Sequence, residues 1–266
     1  MIGPMDLGIR GRKAVIGGAS SGIGAAVAEA LAAEGCQLLI WSRDRTRLET
    51  VAGDLRSRHK VEVATAAVDV GDPHAPELVD EAVSASLGGA DICVLNAGGP
   101  APVDPLQTNA EGWHAAFASL AIHPVLIASR LIGPMREQGW GRIVACLSWS
   151  VKEPIPNLVY SSSGRSALTS WMKTVAPVIA PDGVTINGVL TGPTATPRIE
   201  ELDDDRARRE ERDPAEVRAE RIASVPVGRL AKPSEVAAQG AYLSRDQAAF
   251  QTGTFTLVDG GMVRSF

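Results

Sequence analysis

Aromatic side chains make up only 4% of this 266-residue sequence, and glycine and alanine are abundant in their place. A core of this kind brings short side chains and backbones close together rather than packing around large rings. Cysteine is scarcer still. Cys36, Cys93 and Cys146 each sit in or beside an apolar segment, and no two stand at metal-type spacing, so they read as small buried hydrophobes. His59, His74, His114 and His123 show no ligand spacing either, and no metal site is expected. The net charge is -5 and no basic run stands apart from neighbouring acids, which removes the electrostatic footprint of a nucleic-acid binder. No apolar run approaches the ~20 residues that span a bilayer. The opening segment, residues 1–13, lacks the apolar middle of a signal peptide. The expected address is the cytoplasm, with neither nucleic acid nor membrane as partner.

What the sequence does have is alternation. Short apolar runs bounded by Gly, Asp or Asn occupy residues 14–16, 37–41, 61–68, 92–95, 142–147, 184–190 and 254–258, and read as buried strands. Between them lie stretches with helical spacing, such as Val27, Leu31 and Ala32, or Leu78, Val79, Ala82, Val83 and Leu87. Strand-helix alternation predicts an α/β fold of Rossmann type: a doubly wound parallel sheet in a three-layer α/β/α arrangement, with ligands at the carboxyl ends of the strands. Residues 1–266 are expected to form one dinucleotide-binding domain. Pro124 and Pro177 fall inside long helical patterns and are expected to distort both helices near the cleft. The one compositional break is the highly charged stretch between Pro197 and Pro226. It reads either as a solvated helical excursion or as a substrate lid over residues 198–226.

Directly after the first strand comes Gly17-Gly18-Ala19-Ser20-Ser21-Gly22-Ile23-Gly24, and then an alanine-rich helix. Glycines there permit a tight turn and close backbone approach to a pyrophosphate, while the helix N-terminus presents unpaired N–H groups. The spacing Gly18-x3-Gly22-x-Gly24 resembles the T-G-x3-G-x-G pattern of the short-chain dehydrogenase/reductase family, with Gly17 in the usual threonine position. Asp69-Val70, Leu95-Asn96-Ala97-Gly98, Asn187-x4-Gly192 and Val258-Asp259-Gly260-Gly261 are similar to further motifs of that family, in the same order. The resemblance implies that Gly18, Ser20, Ser21 and Ile23 hold the cofactor phosphates. It also implies that Asp69 and Val70 contact the adenine, that Asn96, Ala97 and Gly98 line the ribose side, and that Gly192 and Thr196 lie toward the nicotinamide. At the end of the second strand Ser42 takes the place of a ribose-binding acid and Arg43 follows it, which favours the 2′-phosphate of NADP over NAD.

The resemblance weakens at the catalytic residues. Ser148 matches the family's catalytic serine, but the Tyr-x3-Lys motif reads Ser161-x3-Arg165, and Leu120 stands where many members carry an asparagine. Ser161 and Arg165 share one helical face. Arginine keeps its proton up to about pH 12 and does not act as a base, so the pair suits anchoring of substrate or ribose. Tyr160 is a candidate proton donor if the helix begins after it, and a packed tyrosine otherwise, because one residue turns a side chain by about 100° around a helix.

The resemblance thus implies an NADP(H)-dependent oxidoreductase acting on a small carbonyl or alcohol, with Ser148 orienting the oxygen and Tyr160 or a water relaying the proton. The resemblance also implies association into a homodimer or homotetramer, the usual state of family members. The altered motif admits an alternative, a cofactor-binding protein without redox turnover. The Ser, Tyr, Arg set also resembles halohydrin dehalogenases, which give up the nucleotide site that this chain retains.

Overall fold

The computed structural model describes residues 7–265. Residues 1–6 and 266, the two ends of the expected domain and the start of the opening segment, lie outside it. The seven apolar runs become β1 (Lys13–Gly17), β2 (Gln37–Ser42), β3 (Val63–Ala67), β4 (Ile92–Leu95), β5 (Gly141–Ser148), β6 (Val184–Thr191) and β7 (Phe255–Val258). Between and around them run α1 (Gly22–Ala33), α2 (Arg45–His59), α3 (Ala75–Ser86), α4 (Ala110–Phe117), α5 (His123–Glu137), α6 (Val159–Ile179), α7 (Pro197–Glu210), α8 (Pro214–Ser224) and α9 (Pro233–Leu243).

The strands form one sheet in the order β3-β2-β1-β4-β5-β6-β7, and every pair is parallel. Period-two alternation sorts their side chains. Ala14, Ile16, Leu38 and Ile40 pack with α1, α2 and α9 on one face, whereas Val15, Leu39 and Trp41 pack with α3, α5 and α6 on the other. Burial on both faces explains why these strands read as continuous apolar runs. The chain reverses its direction of travel across the sheet between β1 and β4, and such a switch point opens a crevice at the strands' carboxyl ends.

Two sequence expectations change here. Pro124 distorts its helix, because a proline lacks the N–H owed to residue 120 and its ring crowds that carbonyl; a π turn over Ala118–Ile122 absorbs the misfit. The helix continues through it, so Ala110–Glu137 forms one 28-residue stretch that is long and apolar enough, by length and composition, to cross a membrane. That corrects the expectation that no apolar run approaches membrane-spanning length. Here Ile127, Ala128, Leu131, Ile132 and Met135 spend the apolar face on the protein core. Pro177, by contrast, leaves α6 unbroken to Ile179 and sits at the end of that helix away from the cleft.

Candidate active site

The glycine loop after β1 owes its shape to close contacts. Gly18 has φ +59, and a Cβ there would lie 2.7 Å from Asn96 Nδ2 and 2.8 Å from the Asn96 carbonyl. A Cβ on Gly24 would collide with the Gly18 carbonyl oxygen. Asn96 Nδ2 donates to the Gly17 and Gly18 carbonyls at 3.2 and 3.4 Å and so pins the loop to the end of β4. Gly17 departs from the family threonine for a local reason: a Cβ there would approach the Trp41 ring to 2.7 Å. The N-terminus of α1 carries no side-chain cap and no acid in its first turn. Its N–H groups therefore remain available to an anion. A glycine cradle that any Cβ would fill, under an uncapped helix, fits a dinucleotide pyrophosphate.

The adenosine side lies along the same carboxyl edge. Ser42 ends β2 beside Ala67 of β3, and Arg43 follows it, exposed. Arg43 has no acidic partner to neutralise it among the described residues. Asp69 is exposed with its Oδ1 accepting from the Gly71 N–H at 2.9 Å, and the Val70 carbonyl accepts from His123 Nδ1 at 2.6 Å. Across the cleft, a Cβ on Gly192 would lie 2.6 Å from Asp259 Cα, so two of the motifs quoted from the sequence are in contact. Thr196 closes over the glycine loop, its Cγ2 3.1 Å from where a Gly22 Cβ would sit, and its Oγ1 donates to the Thr194 carbonyl at 3.2 Å.

These elements enclose a cavity of about 280 Å³. Of the residues singled out in the sequence, Gly18, Ser21, Ile23, Asn96, Ala97, Gly98, Ser148, Ser161, Arg165, Gly192 and Thr196 line it. Ser20, Arg43, Asp69, Val70 and Tyr160 do not. Arg43 and Asp69 extend the site along the sheet edge, Ser20 lies within the glycine loop, and Val70 lines a smaller cavity of about 20 Å³ beneath Arg165.

Tyr160 is the expectation that geometry corrects. Helix α6 begins at Val159, before Tyr160 rather than after it. The ring therefore turns toward α4, where its hydroxyl accepts from the Asn109 N–H at 2.9 Å and donates to the Asn109 carbonyl at 3.3 Å. It stands edge-on to Trp113 at 4.8 Å, and the bare Gly112 backbone makes room for it. This is a packed tyrosine.

Ser161 and Arg165, one turn apart, do face the cavity. Arg165 Nε donates to Ser161 Oγ at 3.2 Å, Nη1 to the Cys146 carbonyl at 3.1 Å and Nη2 to the Ala97 carbonyl at 2.9 Å. All three acceptors are neutral. Burial pushes its pKa down to about 10, with the nearby Arg198 acting in the same direction and Cys146 opposing. That lies below the floor of about 12 taken from the residue type, yet the group stays protonated at neutral pH. Ser148 Oγ accepts the Ser150 N–H at 3.1 Å and Ser161 Oγ accepts Arg165, so each hydroxyl keeps its own hydrogen for another acceptor. Leu120 is buried against α6, its Cβ 3.0 Å from where a Gly164 Cβ would lie, and occupies the family's asparagine position with an apolar side chain.

Sequence reasoning took the charged segment as one block and missed what it contributes. Arg198, Ile199 and Leu202 of α7 and Arg221 of α8 form the outer wall of the cavity. Their hairpin is tied across its two helices by Arg221 to Asp203 at 2.5 Å and by Arg206 to Glu220 at 2.8 Å. The arginine following the Thr196-Pro197 step at the start of α7 was the available signal.

Comparison with known proteins agrees with this geometry. The family described as Enoyl-(Acyl carrier protein) reductase matches residues 18–263. The NADPH-dependent reductase BacG of Bacillus subtilis is 28% identical over 96% of this chain and 98% of its own length. Cis-4-hydroxycyclohexanecarboxylate dehydrogenase of Sinomonas cyclohexanicum is 31% identical over 94% and 96%. Among solved structures, L-sorbose reductase of Gluconobacter frateurii, complexed with NADPH and L-sorbose, superimposes with a TM-score of 0.93 at 32% identity, covering 98% of this chain and all of that one. With the glycine cradle, the parallel sheet and the ordered motifs extending along nearly its whole length, the chain belongs to the short-chain dehydrogenase/reductase family.

Proposed function

We propose that this protein is an NADPH-dependent oxidoreductase that interconverts a small carbonyl compound and its alcohol. The observation that carries the reading is the intact nucleotide cradle of Gly18, Gly22 and Gly24 opening into the same cavity as Ser148, Ser161 and Arg165. The relatives favour redox turnover over a silent cofactor-binding protein.

NADPH, when bound, supplies the hydride that goes to the carbonyl carbon; the carbonyl oxygen takes a proton, giving the alcohol and NADP+. Gly18, Ser21, Ile23, Asn96, Gly98 and Thr196 would hold the nucleotide, and Arg43 and Asp69 would complement its 2′-phosphate and adenine end. The Ser148 and Ser161 hydroxyls donate to the substrate oxygen. Arg165 fixes Ser161 and places positive charge where the oxygen gains negative charge. Serine is a poor general acid, so the proton transferred comes from solvent water held at these hydroxyls, and the hydroxide left behind is reprotonated from bulk solvent. The α7–α8 hairpin acts as the lid that sheds bulk water from the cleft. Ile122 and Leu126, exposed four residues apart on one helix face, suit self-association into a dimer or tetramer, which light scattering measures.

The reading is tested by following loss of reduced-nicotinamide absorbance against a panel of ketones, aldehydes and keto acids. Turnover with NADPH supports it. Tight NADPH binding with no turnover across the panel returns the silent cofactor-binding alternative.

A further inference from the structure

Three arginines line the cavity, Arg165, Arg198 and Arg221, and no acidic side chain does so among its described lining residues. Arg221 is neutralised by Asp203. Arg165 is surrounded by neutral oxygens alone. Arg198 donates from Nη2 to the Pro100 carbonyl at 2.5 Å, and its one acidic neighbour among the described residues, Glu201, lies 3.4 Å from Nη1 with its own side chain 67% exposed. Such a pair is weak and screened by solvent.

Gly99 brings two of these cations to one corner. A Cβ there would sit 3.3 Å from Ser161 Oγ and 3.5 Å from Arg198 Nη2. The lack of a side chain lets Arg198 stand beside the Ser161–Arg165 pair across bare backbone. Two like charges in a partly dry cleft repel, and here they are held by backbone carbonyls, the Ser161 hydroxyl and, for Arg198, the exposed Glu201. Arg165 directs its donors into the protein, to β5 and to the end of β4. Arg198 sits at the cleft wall and is the guanidinium open to a ligand. The glycine loop with its free helix N–H groups serves the cofactor phosphates, whereas Arg198 lies on the Ser161 side, where the reacting oxygen is placed.

We propose that Arg198 binds a carboxylate on the substrate, so that the protein acts on keto acids and their hydroxy acids rather than on neutral ketones. The inference rests on the redox reading above and names its substrate class. A guanidinium matches a carboxylate through paired, charge-assisted hydrogen bonds, which a neutral ester cannot reproduce.

The test compares 4-oxocyclohexanecarboxylate with its methyl ester at saturating NADPH. Wild-type protein favours the acid in kcat/KM by about 10- to 100-fold, the range of one hydrogen bond to a charged group. Arg198→Gln brings the acid-to-ester ratio toward one, Arg198→Lys leaves it between, and NADPH affinity changes less than twofold in both. An ester turned over as well as the acid by wild type, or an Arg198→Gln effect confined to NADPH binding, overturns the proposal. Should neither compound turn over, calorimetry on NADP+-saturated protein separates the two readings. Binding of cyclohexanecarboxylate but not cyclohexanecarboxamide, lost in Arg198→Gln, upholds the carboxylate site while the redox reading fails; equal binding, or none, overturns the site itself.

Discussion

Replacing Arg165 by leucine removes three hydrogen bonds at once, to Ser161 Oγ and to the Cys146 and Ala97 carbonyls. Each bond to a charged group is worth about 1.5–3 kcal/mol. Leucine also abolishes the cost of keeping a guanidinium out of water, which offsets much of the loss. The expected net destabilisation is about 1–3 kcal/mol, or roughly 2–10 °C in Tm for a chain of this size. Activity should fall further than stability, because Ser161 loses its one fixed partner and the substrate oxygen loses a nearby positive charge. That interaction is worth about 1.5–3 kcal/mol in the transition state, a drop of about 10- to 150-fold in kcat/KM. Arg165→Lys keeps the charge and should recover part of it. The pH dependence follows from burial, which pushes the folded pKa down to about 10, below that of the unfolded chain. Below about pH 10 both states hold the proton and the full cost of burying the charge is present. Above about pH 10, and until the unfolded chain also gives up its proton, the unfolded chain binds more protons, so the contribution of this group to stability improves as pH rises. Charge-dependent activity runs the other way and declines above about pH 10, a limb that Arg165→Leu should lack. Steady-state kinetics beside thermal unfolding decide the matter. A folded Arg165→Leu protein within twofold of wild-type kcat/KM refutes the role given to this residue.

Tyr160→Phe should cost about 1 kcal/mol, because it removes the hydroxyl's two bonds to the Asn109 backbone, and should leave kcat within about twofold. A loss beyond about 100-fold, the scale of a general acid, would restore Tyr160 as proton donor. Arg43→Asp should weaken NADPH binding by about 10- to 100-fold and narrow or reverse the preference over NADH, as measured by fluorescence titration. Gly18→Ala forces a Cβ against Asn96 at a backbone φ of +59, so nucleotide affinity should fall and the protein lose about 1–3 kcal/mol; normal NADPH binding by this variant would contradict the cradle.

Much of this architecture was legible because the physics that builds it is local. Strands buried on both faces, such as Gln37–Ser42, must be continuously apolar, and a glycine loop between a strand and a helix carries its own steric signature. What was not legible depended on register. Whether Tyr160 or Ser161 faces the cleft turns on the single residue at which α6 starts, and the short helical turn Pro156–Leu158 ahead of it leaves no sharp sequence boundary. The charged segment hid Arg198 and Arg221 for a similar reason, since a helix polar on all sides does not announce which arginine turns inward. Pro124 marked a distortion correctly, but only the fold reveals that a π turn carries the helix through it.

The most direct test of the central claim is transfer of label from NADPH deuterated at its reactive nicotinamide position, run with a ketone or keto acid and read by mass spectrometry of the alcohol. The account predicts one deuterium on the former carbonyl carbon, at a rate that needs Ser148 and Arg165. Unlabelled alcohol, or no alcohol from any carbonyl despite saturation with NADPH, would contradict it.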